Sequence, residues 1–211
     1  NIQYLHHLGL VTPASTLAHC VWLNDADISL LSKSGAHVSH CPTSNLKLAS
    51  GIARIPDMLH AGISVSLGCD GAPCNNTLNI FNEMKMAALI HKPASGPRTI
   101  RAQQALDMAT REGAKALHWQ EEIGSIEVGK SADLVALDLS QIENLSHESS
   151  EDSLLSSLVY SCTPMHVRWT MVEGKLLYHQ GQVQGLGREK LLRQARIEMP
   201  KLLEKIRSLT Q

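Results

Sequence analysis

Three short strand-like runs, each with a polar residue at its C-terminal end and separated from the next by a helix-patterned stretch, constrain this chain most. They are Thr16-Leu17-Ala18-His19-Cys20, His37-Val38-Ser39-His40-Cys41, and Ile63 to Cys69 followed by Asp70. The first, short and mostly apolar, predicts a uniformly buried strand rather than an exposed hairpin strand, and the third is apolar throughout most of its length. The first intervening stretch reads as a helix from about Asp25 to Ser34, capped by Asn24 and ended by Gly35. The second reads as a helix from about Ala53 to His60, ended by Gly62. Such alternation is the pattern of parallel βα units. His19, His40 and Asp70 then stand at strand C-terminal ends, where (β/α)₈ barrels build their active sites. A doubly wound open sheet also binds ligands at that end, so the pattern alone leaves both architectures open.

Residues 3–8 read as the end of a helix stopped by Gly9, and Leu46 to Gly51 as a loop after Pro42. Helical periodicity returns over Leu78 to His91 and Arg101 to Leu117, with a Pro- and Gly-containing spacer at 91–97. After Trp119 the character changes. Gly124 to Lys130 is turn-rich, Ala132 to Asp138 is a strand, and 140–153 is a polar, serine-rich surface loop. Val167 to Met171 and Lys175 to Tyr178 predict a hairpin around Glu173-Gly174. A charged amphipathic helix from about Arg188 to Ser208, interrupted by Pro200, closes the chain.

Composition excludes several classes. With 43% hydrophobic and 18% charged residues, a packed core is expected. Aromatics at 3% and a net charge of -1, with no basic cluster, leave neither stacking platforms nor a phosphate-binding footprint, so no nucleic-acid partner is expected. No apolar stretch approaches the ~20 residues of a membrane span. The five cysteines, odd in number and without a CxxC pair, predict reduced thiols and a cytoplasmic protein. Because the chain enters on Asn1 already in helical pattern, it reads as cut inside a domain.

Asp70, in Leu67-Gly68-Cys69-Asp70-Gly71-Ala72-Pro73, is the strongest chemical candidate. A cap or turn aspartate is the plain alternative. A carboxylate at the mouth of a sheet also suits a zinc or iron ligand, and it can accept a proton from water. His19 is either a satisfied core histidine or a group that hydrogen-bonds the attacking water or substrate and offsets charge in the tetrahedral intermediate. His40, just before a proline-led loop, reads as a cap or a supporting residue. Cys74 is either a small packing residue or a thiol that Pro73 and Asn75-Asn76 turn toward the departing group. His6 and His7 are surface residues that cannot share an ion, and His91, His118 and His147 receive no role.

Three blocks carry a resemblance: LAHCVWL at 17–23, HCPTSNLKLASGI at 40–52 and LGCDGAPCNN at 67–76. With GSIEVGKSADLVALD at 124–138, they resemble the amidohydrolase superfamily, in the branch of methylthioadenosine/S-adenosylhomocysteine deaminases, guanine deaminases and chlorotriazine hydrolases. The resemblance implies an α/β fold, the C-terminal part of a (β/α)₈ barrel with strands six to eight, plus part of a small β-sandwich. Residues 1–120 would be barrel, 121–187 sandwich and 188–211 a C-terminal helix. It further implies one divalent ion, zinc before iron, with Asp70 as ligand and proton shuttle and His19 contacting water or substrate. The family's paired strand-one histidines, strand-five histidine and strand-five glutamate would lie before Asn1. The implied reaction is hydrolytic deamination of an amino-purine or related heterocycle, with His19 contacting the substrate; the residues themselves add Cys74 as a second substrate contact, and a homo-oligomer is an option. Dechlorination of a triazine and a non-catalytic half-barrel are the alternatives. A cytidine-deaminase-type site fails, because Pro73-Cys74 is followed by Asn75-Asn76-Thr77 and no second cysteine.

Overall fold

The computed structural model describes residues 2–140 and 150–209. In chain order the elements begin α1 (Ile2–His7), β1 (Thr16–Ala18), α2 (Asp25–Ser34), β2 (His37–His40), α3 (Pro42–Lys47), α4 (Ile55–His60) and β3 (Val65–Leu67). They continue α5 (Ala72–Asn75), α6 (Ile80–Ile90), α7 (Lys92–Ser95), α8 (Ala102–Ala109), α9 (Arg111–Ala116), β4 (Leu134–Leu137) and α10 (Glu151–Ser156). The last are β5 (Val167–Val172), β6 (Lys175–His179), β7 (Gln182–Val183) and α11 (Arg188–Leu209). The chain divides into two compact units, Asn1–Ser131 with Asp138–His166, and Ala132–Leu137 with Val167–Gln211.

In the first unit β1, β2 and β3 form a parallel sheet in sequence order, with Leu17 opposite Val38 and Val38 opposite Val65. The fold is α/β, with a helical crossover between each pair of strands, as the alternation requires. Asn24 closes a reciprocal cap on α2: its side chain accepts from Asp27 N at 2.9 Å, while Asp27 accepts from Asn24 N at 3.2 Å. Gly35 ends that helix in the left-handed region at φ 69. Val38, Val65, Ile55, Met58, Leu31 and Ile100 are fully buried in one core, each contributing roughly 1.5–3 kcal/mol.

Several expectations are corrected. β1 is not uniformly buried: Thr16 and Ala18 are exposed and only Leu17 packs inward, the period-two alternation of a strand with one covered face. Pro42 does not open a loop but starts α3, where its missing N–H costs nothing. Residues 72–75 and 92–95 form helical turns in stretches that read as loops. The segment from Arg101 to Leu117 is two helices broken at Thr110, whose φ -128 and ψ -88 lie outside the helical region. In the serine-rich stretch, Ser150 caps α10 over Glu151–Ser156; residues 141–149, with His147, lie outside the described residues. α11 runs through Pro200 without interruption, its carbonyls open to water on an exposed helix.

The second unit is an antiparallel sheet in the order β4-β5-β6-β7. Its hairpin turns on Glu173 (φ 49) and Gly174 (φ 73), the paired positive dihedrals that match the twist of two-residue hairpins. Asp133 reinforces the turn by accepting from Glu173 N at 2.7 Å.

Candidate active site

The site assembles at the C-terminal ends of the three parallel strands. β1 stops at Ala18, and His19 (φ 68) and Cys20 (φ 47) both adopt left-handed backbone, at a cost of about 1–3 kcal/mol each. That turn carries the His19 ring off the strand, where Nδ1 lies 2.8 Å from Asn45 Oδ1. The amide oxygen only accepts, so it fixes the proton on Nδ1 and leaves the Nε2 lone pair free. Nε2 lies 3.9 Å from Asp70 Oδ2.

Asp70 also takes a positive φ, 60, directly after β3. Gly71 N donates to its Oδ1 at 2.7 Å and Ser44 Oγ to its Oδ2 at 2.5 Å. These bonds, Ser44 first, hold its carboxyl below the usual carboxylate range, with smaller help from His19 and a hydrogen bond with the Cys74 thiol. Close approach of β2 and β3 requires glycine at 68, where a Cβ would stand 2.8 Å from Ser39 Oγ and 3.1 Å from Cys41 Sγ.

Ser44 and Asn45, both buried, are the residues that sequence reasoning missed. A proline two residues after a strand-end histidine is as good a sign of a helix start as of a stop. Read that way, it puts Thr43, Ser44 and Asn45 at the mouth of the sheet.

The remaining candidates separate. His40 does not join His19 and Asp70. It is 1% exposed, packs against His91 with ring centroids 6.0 Å apart, and neither ring nitrogen has a hydrogen-bond partner among the described residues. Burial, then the neighbouring His91 and His19, pushes its pKa down to about 3. An unfolded histidine takes its proton near 6.5 and folded His40 near 3, so acid favours the unfolded chain. Stability should therefore be unaffected by this group above about pH 6.5 and fall as pH drops toward 3, with a slope approaching about 1.4 kcal/mol per pH unit. Urea unfolding of wild type and His40→Gln between pH 7 and 4 tests this; parallel pH curves would contradict it. His6 and His7 are exposed, as expected. Cys74 sits in α5 rather than on an open loop, half-buried beside Asp70.

As a metal centre the site fits one corner. Asp70 is ionised and anchored on both oxygens, the state a divalent cation needs. Among the described residues no group of three His, Cys, Asp or Glu side chains can hold an ion by itself.

Residues 2–177 match the amidohydrolase family along the ordered elements that build this site. The chain belongs to the amidohydrolase family. Among its relatives in that family is the 5-methylthioadenosine/S-adenosylhomocysteine deaminase of Nitratidesulfovibrio vulgaris (strain Hildenborough), 45% identical over 98% of this chain and 46% of that protein. The crystal structure of an adenosine deaminase from Xanthomonas campestris with bound zinc superposes with a TM-score of 0.89 at 35% identity, covering 98% of this chain and 46% of that one. The atrazine chlorohydrolase of Arthrobacter aurescens, crystallised with zinc, is similar at a TM-score of 0.84 and 25% identity, over 92% of this chain and 43% of its own. This amidohydrolase chain thus spans about half the length of the relatives it matches. No helix among its described residues is long and apolar enough to cross a membrane.

Proposed function

We propose that this amidohydrolase chain forms the last three βα units of a barrel, with a β-sandwich segment after them, in a zinc-dependent hydrolase that deaminates adenosine-type substrates in the cytoplasm. The observation that carries the reading is the pairing of His19 Nε2 with Asp70 Oδ2 at 3.9 Å across the strand ends, with Asn45 and Ser44 behind them. Asp70 supplies one ligand, and the other ligands and the proton donor come from the half of the barrel that these residues do not represent.

A bound divalent ion supplies acidification of water, lowering its pKa from 15.7 toward about 7. Asp70 takes a proton from the attacking water: its lowered pKa keeps the carboxylate ionised and ready to accept, and the bonds from Ser44 and Gly71 hold it in place. His19 Nε2 accepts a hydrogen bond from the same water and steers it at the ring carbon bearing the amino group. A carbon–oxygen bond forms, the carbon–nitrogen bond breaks, and the proton held at Asp70 leaves with the nitrogen as ammonia. Asn45 keeps His19 in the tautomer that this requires.

The reading separates from a triazine dechlorination by its leaving group. Offered 5′-methylthioadenosine or a chlorotriazine, a zinc-loaded polypeptide carrying the whole barrel should release ammonia from the first far faster than chloride from the second; the reverse order would overturn the assignment. Cys74, which touches the Asp70 carboxylate, is proposed to shape the pocket around the departing group. Cys74→Ser should then change the ratio of kcat/KM for two substrates that differ only in that group, with zinc content constant. A ratio within about twofold of wild type would return Cys74 to packing.

A further inference from the structure

Glu83, in the first turn of α6, has no exposed surface. A buried carboxylate is tolerated only with strong hydrogen-bond partners, and both of its oxygens have one. Oε2 accepts from Thr43 N at 3.1 Å, and Oε1 accepts from Asn75 Nδ2 at 2.8 Å. Thr43 lies in α3 immediately before Ser44 and Asn45, the residues that hold Asp70 and His19. Asn75 lies in α5, one position beyond Cys74. Its Oδ1 accepts from Thr77 N, Thr77 Oγ1 and Leu78 N, which fixes the approach to α6. On the exposed side Lys47 spans the same two segments, donating to Pro73 O at 2.6 Å and to Asn76 Oδ1.

α3 and α5 have six and four residues, too few to stand as helices by themselves. Their relative placement must come from outside, and Glu83 reaches both. We propose that Glu83 is a positioning residue: its carboxylate holds the turn carrying Ser44 and Asn45 in register with the loop carrying Asp70. It thereby sets the His19–Asp70 approach without touching substrate. The inference rests on the reading of His19 and Asp70 as the reacting pair.

The decisive substitution is Glu83→Gln, which preserves volume but turns an amide NH₂ toward one of two donors, so that one of the two bonds is lost. In the zinc-loaded protein with the whole barrel, kcat for 5′-methylthioadenosine should fall about 10- to 100-fold while KM stays within about threefold, the scale of an ångström-sized misplacement. Zinc content should not change. Asn75→Ala should give a similar loss, and the double variant should be no worse than the poorer single, because both cut one connection. A second readout needs no turnover. Amide exchange at Thr43 should accelerate at least about tenfold in either variant while the β2 and β3 amides stay protected, and the His19 ring ¹⁵N signals should shift.

If Glu83→Gln does not fold, Asn75→Ala carries the same test. If wild type deaminates no 6-aminopurine nucleoside, the proposed function falls, and exchange at Thr43 with the His19 signals still decides whether Glu83 ties the two loops. Wild-type protection at Thr43, uniform loss of protection through α6 and the sheet, or kcat within about threefold of an active wild type would each overturn the proposal.

Discussion

Asp70→Asn should lower turnover at least about a thousandfold, within the range for loss of a positioned acid–base group and deepened by loss of the proposed metal ligand. The substitution is nearly isosteric, and Ser44 can rotate its hydroxyl to accept from the new amide, so the fold should persist. What disappears is charge. The bonds from Ser44 and Gly71 that stabilise an anion have none to stabilise, and an amide neither takes a proton from water nor matches a carboxylate as a ligand. Zinc content should fall with activity while the thermal midpoint shifts by only a few degrees. A variant that keeps a tenth or more of wild-type kcat/KM, with full zinc, would remove Asp70 from the chemistry.

His19→Ala should behave differently. The ring is oriented by Asn45 and approaches Asp70 no closer than 3.9 Å, so in the proposed role it steers water beside the metal ligands without being one. The expected result is a loss of at least about 100-fold in kcat with zinc retained. Asn45→Ala should reproduce part of that loss by releasing the tautomer. Zinc loss in His19→Ala equal to that in Asp70→Asn would show that His19 is a ligand.

Much of this arrangement was legible in the sequence because it lies in the strands. Residues 16–18, 37–40 and 65–67 are short runs around Leu17, Val38 and Val65, separated by helix-patterned stretches, and they pair in parallel in sequence order. His19 and Asp70 follow from that alternation. The supporting residues do not. Ser44 and Asn45 sit on a helical turn that a proline announces ambiguously, and short turns are set by tertiary contacts more than by propensity. Glu83 looks like any charged residue in the first turn of an amphipathic helix; only its complete burial separates it from a solvated one. His40 misleads in the opposite direction. It ends a strand as His19 does, but the period of two turns it to the face shared with Val38, against His91. The left-handed backbone at His19 and Asp70 left no mark on composition, because neither residue is glycine.

The proposed role of His19 and Asp70 in a zinc-dependent deaminase stands or falls on metal-dependent turnover. Its most direct test is ammonia release from 5′-methylthioadenosine by the whole-barrel protein, stripped of metal with a chelator and then titrated with zinc. The expected result is no release from the stripped protein, recovery that saturates at one zinc per chain, and one ammonia for each nucleoside consumed. Nucleoside left intact by fully zinc-loaded, folded protein would contradict it.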